Sequence, residues 1–270
     1  MSEMVCHRMR ARVCLLLGAC CLSGAGLAAA PAPLAPLRFA GLEWAPFIGR
    51  SLPDNGLSGA FLSAVLERAG YAAQIDYYPW KRAMELGLHD PRYAGLLAMW
   101  RTPEREKLCH FSSSIGSALN VLAFLKEAPV QAADLAALQS VRVGTVAGYS
   151  NGEQFDTLVK EGRLTVDESV NDETNLRKLL SRRFPAIVIE KRVLRHLLAS
   201  GPFSKAERAS IAYSDQLFKE RTVHVCFKRT EEGQRLQKVF NEAAREFDLA
   251  RIERDYWRRL DDDAPPQSSD

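Results

Sequence analysis

The run GLLAMW, Gly95 to Trp100, carries no polar residue and ends directly on the charged stretch RTPEREK, Arg101 to Lys107. A strand without polar side chains needs cover on both faces, which is the condition of a parallel sheet flanked by helices. The chain around it supplies the other parts of such a sheet. LRFAGL (37–42) reads as a strand and GLSGAFLSAVLERAGY (56–71) as a helix, with Leu57, Phe61, Leu62, Val65, Leu66 and Ala69 at helical spacing and Gly70 as its stop. QIDYYPW (74–80) alternates as a second strand, WKRAMELGL follows as a short helix, and GLLAMW is the third strand.

A second cycle follows. NVLAFLK (120–126) and RVGTVA (142–147) read as strands, and NGEQFDTLVKEG (151–162) as a helix closed by Gly162. TNLRKLLSRR is a helix, AIVIE (186–190) a strand, and KRVLRHLLAS a helix; VHVCFKR (223–229) is a last strand, covered by two helical segments that end near Leu260. Repeated strand-helix-strand units give an α/β fold. Two such units in about 230 residues make two lobes with a cleft rather than one wide sheet. DDDAPPQSSD, residues 261–270, has the composition of a disordered tail.

Residues 1–30 stand apart from this core. Arg8, Arg10 and Arg12 precede the apolar run VCLLLGACCL, and small residues around Ala29 close the segment, the layout of a signal peptide. The protein is therefore expected outside the cytoplasm, in the periplasm. A second reading of the same residues takes Leu17, Gly18, Ala19 and Cys20 as a lipobox, with Cys20 as a lipid tether. Arg8, Arg10, Arg12 and Glu3 leave with the segment, so the 36 Lys and Arg fall to 33 and the 33 Asp and Glu to 32. A chain so nearly neutral has no footprint for nucleic acid. Of six cysteines, Cys109 and Cys226 remain, either as a disulfide or as two buried small hydrophobes. With His89, His110, His196 and His224 scattered, neither a metal site nor a nucleophilic triad is visible, and no cofactor is expected.

Open α/β sheets bind ligands beyond the carboxyl ends of their strands, which selects the residues that follow each strand. Arg105 presents a planar fork suited to a carboxylate. In VAGYSNGE, Gly148 frees the backbone, and Ser150 and Asn151 stand where a helix begins, so amides and a hydroxyl converge on the same kind of anion. Glu190 offers a partner for an ammonium, and Trp44, Phe47, Trp80 and Trp100 offer flat walls. Each has an ordinary alternative: Arg105 as a surface pair with Glu104 or Glu106, Ser150 and Glu190 as helix caps, the tryptophans as core.

Taken in order, EWAPF, GLSGAFLSAVLERAGY, YYPWKRAMELG, RTPEREK followed by HFSSSIG, VRVGTVAGYSNGE, AIVIE and VHVCFKR resemble the polar amino-acid class of periplasmic solute-binding proteins of bacterial ABC importers, solute-binding protein family 3. The resemblance implies a two-lobed clamp of type II, each lobe a mostly parallel sheet flanked by helices, whose chain crosses the hinge twice. Lobe 1 would be 35–117 with 222–260, and lobe 2 would be 118–221. It implies that Arg105 grips a ligand carboxylate together with Ser150 and Tyr149, that Glu190 takes an ammonium, and that Ala98, Met99 and Trp100 line the floor between walls at Trp44 and Trp80. A monomer that hands a small amino acid or related carboxylate to an inner-membrane permease is the implied function. A dehydratase-like catalytic derivative and a sensor component are the alternatives. The sequence departs from the family pattern at Gly59 and Ala60, where an Asp is usual, at Met99 and Trp100, where small hydroxyl residues are usual, at Glu190, where Asp is usual, and at RRFPA (182–186). A bulky Trp100 at the floor implies a smaller pocket or a different ligand.

Overall fold

A computed structural model describes residues 34–262; the leader with Cys20, and residues 263–270 of the expected tail, lie outside the described residues. The first strand-helix cycle runs β1 Ala35–Gly41, α1 Gly56–Arg68, β2 Tyr71–Tyr77, α2 Trp80–His89, β3 Gly95–Trp100 and the four-residue α3 Pro103–Glu106, followed by β4 Cys109–Ala118. The second runs β5 Asn120–Leu125, β6 Arg142–Val146, α4 Glu153–Lys160, β7 Thr165–Ser169, α5 Asp172–Leu180, β8 Ala186–Glu190, α6 Lys191–Ser200, α7 Lys205–Ser210 and β9 Ile211–Ser214. The chain then returns through β10 Arg221–Lys228, α8 Glu231–Ala244 and α9 Leu249–Asp262.

These strands form two five-stranded sheets, ordered β2-β1-β3-β10-β4 and β7-β6-β8-β5-β9. In the first, β1 pairs in parallel with β2 and β3, while β10 runs antiparallel between β3 and β4. In the second, β6 pairs in parallel with β7 and β8, while β5 runs antiparallel between β8 and β9. Each sheet is thus parallel through the strand-helix-strand unit and antiparallel where the chain crosses between sheets. It crosses first through Leu119, between β4 and β5, and again through residues 215–220, between β9 and β10.

Burial follows the apolar patterning. Every residue of β3 and of β8 is buried, as covered strands require. Leu57, Phe61, Leu62, Val65 and Leu66 of α1 pack inward, in the core that also holds Phe39, Phe227 and Phe240. Sequence patterning misses β4 and β9. In CHFSSSIGSA the serines interrupt the apolar alternation, and IAYS is too short to show a period.

Cys109 and Cys226 form a disulfide, with Cα atoms 5.6 Å apart. It ties β4 to β10, the last strand before the first crossing to the first strand after the second, and closes a loop of 117 residues that contains the whole second sheet. Closing a loop of that length removes much conformational freedom from the unfolded chain. Replacing both cysteines with Ala is expected to lower unfolding free energy by about 2–5 kcal/mol. Urea denaturation of the variant checks this; a loss below about 1 kcal/mol would show that the crosslink adds little.

Candidate functional site

The carboxyl end of β3 forms the floor. Here β3 and β10 slip in register between His224 and Cys226, so Leu97 and Ala98 stand opposite Val225 alone. Ala98 takes a left-handed backbone conformation with φ of 62°. For a residue with a Cβ this costs about 1–2 kcal/mol, and the bulge re-aims the strand end where the site lies. Ala98 and Trp100 line the cavity, whereas Met99 between them is fully buried and is not among the lining residues.

The wall after β1 is the turn from Trp44 to Ile48, closed by Trp44 N–H to the Ile48 carbonyl at 2.8 Å. Trp44 stacks on Phe47, with centroids 4.4 Å apart, and meets Trp100 edge-on at 5.9 Å. Helix α9 backs the turn: the Tyr256 hydroxyl donates to the Pro46 carbonyl at 3.0 Å, and Trp257 packs edge-on against Phe47. The indole N–H groups of Trp44 and Trp100 are both buried and have no acceptor among the described residues.

RTPEREK delivers its second arginine to this floor. Thr102 caps α3 by accepting the Arg105 amide at 3.2 Å, and Pro103 fixes the first helical position. The chain folds back, and Arg105, only 8% exposed, donates from Nη1 to the Trp100 carbonyl at 3.1 Å and from Nη2 to the Gly148 carbonyl at 3.2 Å. Its guanidinium lies 5.6 Å from the Trp80 ring. Burial pushes its pKa down, opposed by Asp156 and Glu104. Arg101 instead pairs with Glu106 at the surface.

A second cation, which sequence patterning does not single out, comes from the first residue of β10. Arg221 lies 3.7 Å over the Trp100 ring, with Nη1 donating to Ser150 Oγ at 3.1 Å and Nη2 to the Ser150 carbonyl at 2.7 Å. Burial, and then the neighbouring Arg105, bring its pKa down to about 10 against the pull of Asp156, which leaves it charged at neutral pH. In sequence it stands in the charged run KER, 71 residues from Ser150, and only the return crossing brings the two together.

The opposing turn follows β6. Gly148 has φ of 79°, and a Cβ there would stand 3.1 Å from Lys81 Cγ and 3.2 Å from Trp80 Cδ1, so both the conformation and the close approach call for glycine. Its carbonyl accepts Trp80 Nε1 at 2.9 Å as well as Arg105. Ser150 Oγ donates to Asp156 Oδ2 at 2.6 Å, and the Asn151 amide donates to Asp156 Oδ1 at 2.8 Å. The Asn151 amide expected to face an anion is therefore filled by the carboxylate of Asp156. Tyr149 lines the cavity and meets Trp80 edge-on, with its hydroxyl donating to Asp172 Oδ2 at 3.2 Å.

Glu190 takes a different place from the expected ammonium partner. Its Oε2 accepts the Arg192 and Val193 amides at 2.6 and 2.8 Å, capping α6, and Oε1 accepts the Leu119 amide at 3.2 Å. It is 2% exposed, absent from the cavity lining, and joins the first crossing to β8. An acid directly before a helix satisfies orphan amides first; here Oε2 does so, while Oε1 is bonded to the Leu119 amide of the crossing.

Leu42, Trp44, Trp80, Ala98, Trp100, Arg105, Tyr149 and Ser150 enclose a cavity of about 30 Å³, space for about two waters. An outer groove of about 690 Å³ shares Arg105, Tyr149 and Ser150 with it and runs along α4 past Asp156 and Lys160. Among the described residues no group of three or more His, Cys, Asp or Glu is placed to hold a metal ion.

The chain thus has a two-lobed α/β architecture, with the cavity at the facing strand ends of the two sheets. No family model and no curated protein matches the chain. Solved structures do. The ligand-binding core of GluR0 from Nostoc punctiforme in complex with L-glutamate superposes with a TM-score of 0.67 at 18% identity, covering 83% of this chain and 98% of that one. The amino-acid ABC transporter substrate-binding protein AbpA from Streptococcus pneumoniae, bound to L-arginine, gives 0.65 at 15% identity, covering 83% and 95%. An ancestral amino-acid-binding protein that is a precursor of cyclohexadienyl dehydratase gives 0.63 at 15%, again covering 83% and 95%.

Two carboxyl groups outside the cavity lining have pKa values pushed up to about 7 by burial: Asp172, despite its bond from Tyr149, and Glu190, despite three backbone amides. A raised folded-state pKa gives stability that is present below the unfolded value and lost as pH rises through 7. Histidines with lowered values, His196 and His224, act in the opposite sense, so the informative quantity is a difference. Relative to the parent, Asp172→Asn should gain stability between pH 5 and 8, by up to about 1.4 kcal/mol per unit. Denaturant unfolding at several pH values checks this; a pH-independent difference would contradict it.

Proposed function

We propose that this protein is an extracytoplasmic binding protein that closes two lobes on a small amino acid or related carboxylate and delivers it to the permease of an ABC transporter. The leader at residues 1–30 supports export to the periplasm, and among the described residues no helix is long and apolar enough to cross a membrane. In this reading lobe 1 comprises 35–117 with 222–260, lobe 2 comprises 118–221, and the protein acts as a monomer. The observation that carries it is Arg105, a buried guanidinium at a strand end whose fork reaches a carbonyl of the opposite lobe.

The carbonyls that Arg105 bonds are neutral, and a carboxylate is a stronger, charge-matched acceptor for the same fork. A ligand carboxylate would enter by separation of the lobes and replace the Gly148 carbonyl as an acceptor, with Ser150 and Tyr149 alongside and Trp44, Trp80 and Trp100 as walls. Closure is then biased by whatever the ligand gains from touching both lobes at once. A catalytic derivative needs a general acid or base at the ligand. No acidic side chain lines the inner cavity, and Glu190 is committed to backbone amides, so binding is the favoured reading.

A thermal-shift screen of amino acids and small carboxylates should find ligands that raise the melting point, since a ligand that binds only the folded state stabilises it. For such a ligand, Arg105→Ala should cost about 2–5 kcal/mol of binding free energy by calorimetry, with Arg105→Lys retaining part of it. Unchanged affinity in Arg105→Ala would remove Arg105 from the site.

A further inference from the structure

Resting on the clamp reading above, we propose that the ligand is an amino acid with a short aliphatic side chain, and that the inner cavity is the subsite for that side chain. The aromatic walls of the cavity offer it almost no polar atom. Trp80 gives its indole N–H to the Gly148 carbonyl, and Tyr149 gives its hydroxyl to Asp172, which is not a lining residue. The indole N–H groups of Trp44 and Trp100 are buried rather than open to the cavity. With Leu42 and Ala98 beside them, these four aromatic residues present carbon. A cavity of this kind prefers hydrocarbon to a polar group that would lose its hydrogen bonds.

Size sets the second limit. A volume of about 30 Å³ is space for about two waters, which matches a methyl or ethyl group and not an aromatic ring. The walls that set it are packed in place: Trp44 stacks on Phe47 and meets Trp100 edge-on, and Trp80 is fixed by its bond to Gly148. Side chains packed this closely yield little volume to an oversized group.

The polar residues of the lining, Arg105 and Ser150, also line the outer groove, so they mark the boundary between the two spaces. Ser150 Oγ already bonds Asp156 and Arg221, which leaves the Arg105 guanidinium as the anchor there. A ligand with its carboxylate on Arg105 sends its side chain inward and its ammonium outward. The groove carries five carboxylates, Glu104 and Asp156 among them, against the two cations Arg105 and Lys160. That excess attracts an ammonium and repels a second carboxylate, while the apolar walls exclude an acidic side chain from the inner cavity.

The test is calorimetry and thermal shift on a homologous series, glycine, alanine, 2-aminobutyrate, norvaline and phenylalanine, with serine, glutamate and butyrate beside it. Each carbon that enters the cavity should tighten binding about fourfold, so affinity rises from glycine to 2-aminobutyrate. Phenylalanine, too large for the space, should bind at least about tenfold more weakly than 2-aminobutyrate. Serine puts a hydroxyl where 2-aminobutyrate puts a methyl, and butyrate lacks the ammonium; each should also be weaker by about tenfold or more. Ala98→Gly takes one methyl from the lining at a φ that glycine adopts freely, so it should move the optimum to norvaline without lowering the melting point of the free protein. Tightest binding by serine, glutamate or phenylalanine overturns the side-chain assignment and leaves the clamp reading standing. Butyrate binding as tightly as 2-aminobutyrate overturns the placement of the ammonium. An optimum that stays at 2-aminobutyrate in Ala98→Gly removes the side chain from the inner cavity. Binding by no member of the panel, with no thermal shift, overturns both the assignment and the clamp reading.

Discussion

The carbonyl oxygen of Gly148 accepts two donors from the opposite sheet, Arg105 Nη2 and Trp80 Nε1, and the ordering of the cleft depends on that one atom. Two residues further on, the Ser150 carbonyl accepts Arg221. One glycine-containing turn is thus gripped by three side chains that originate on α2, α3 and β10. The grip is polar on both sides and sits among three tryptophans, so each bond is stronger than in water and its loss costs more. A cleft held this way has a defined closed geometry, and a molecule that offers better acceptors to the same donors can exploit it.

The electrostatics of the site follow from where its acids are used. Three of the nearby carboxylates are engaged inside the fold. Glu190 caps α6 and receives the Leu119 amide of the first crossing, Asp156 braces the turn from below, and Asp172 holds the Tyr149 hydroxyl. The arginines, by contrast, bond neutral carbonyls and a hydroxyl.

Much of this was legible in the sequence for physical reasons. Covered strands are built from apolar runs, which marks β3 and, up to its terminal Glu190, β8, and α6 shows helical periodicity along its whole length. Arg105 was legible because a Thr-Pro turn after a buried strand has few ways to go. Glu190 carried two readings at once, cap and ammonium partner, and only the positions of the Leu119, Arg192 and Val193 amides decide between them. Arg221 was hidden because its partners are set by the second crossing, a long-range event with no local period. The disulfide was open for the same reason: spacing says nothing about β4 and β10 becoming neighbours.

A crystal structure with the tightest-binding carboxylate tests the central claim most directly, because the claim concerns which atoms the ligand touches. The account predicts a carboxylate oxygen within about 3 Å of the Arg105 guanidinium. A ligand seated in the outer groove along α4, with its carboxylate on Lys160 and with Arg105 still bonded only to the Trp100 and Gly148 carbonyls, would contradict it.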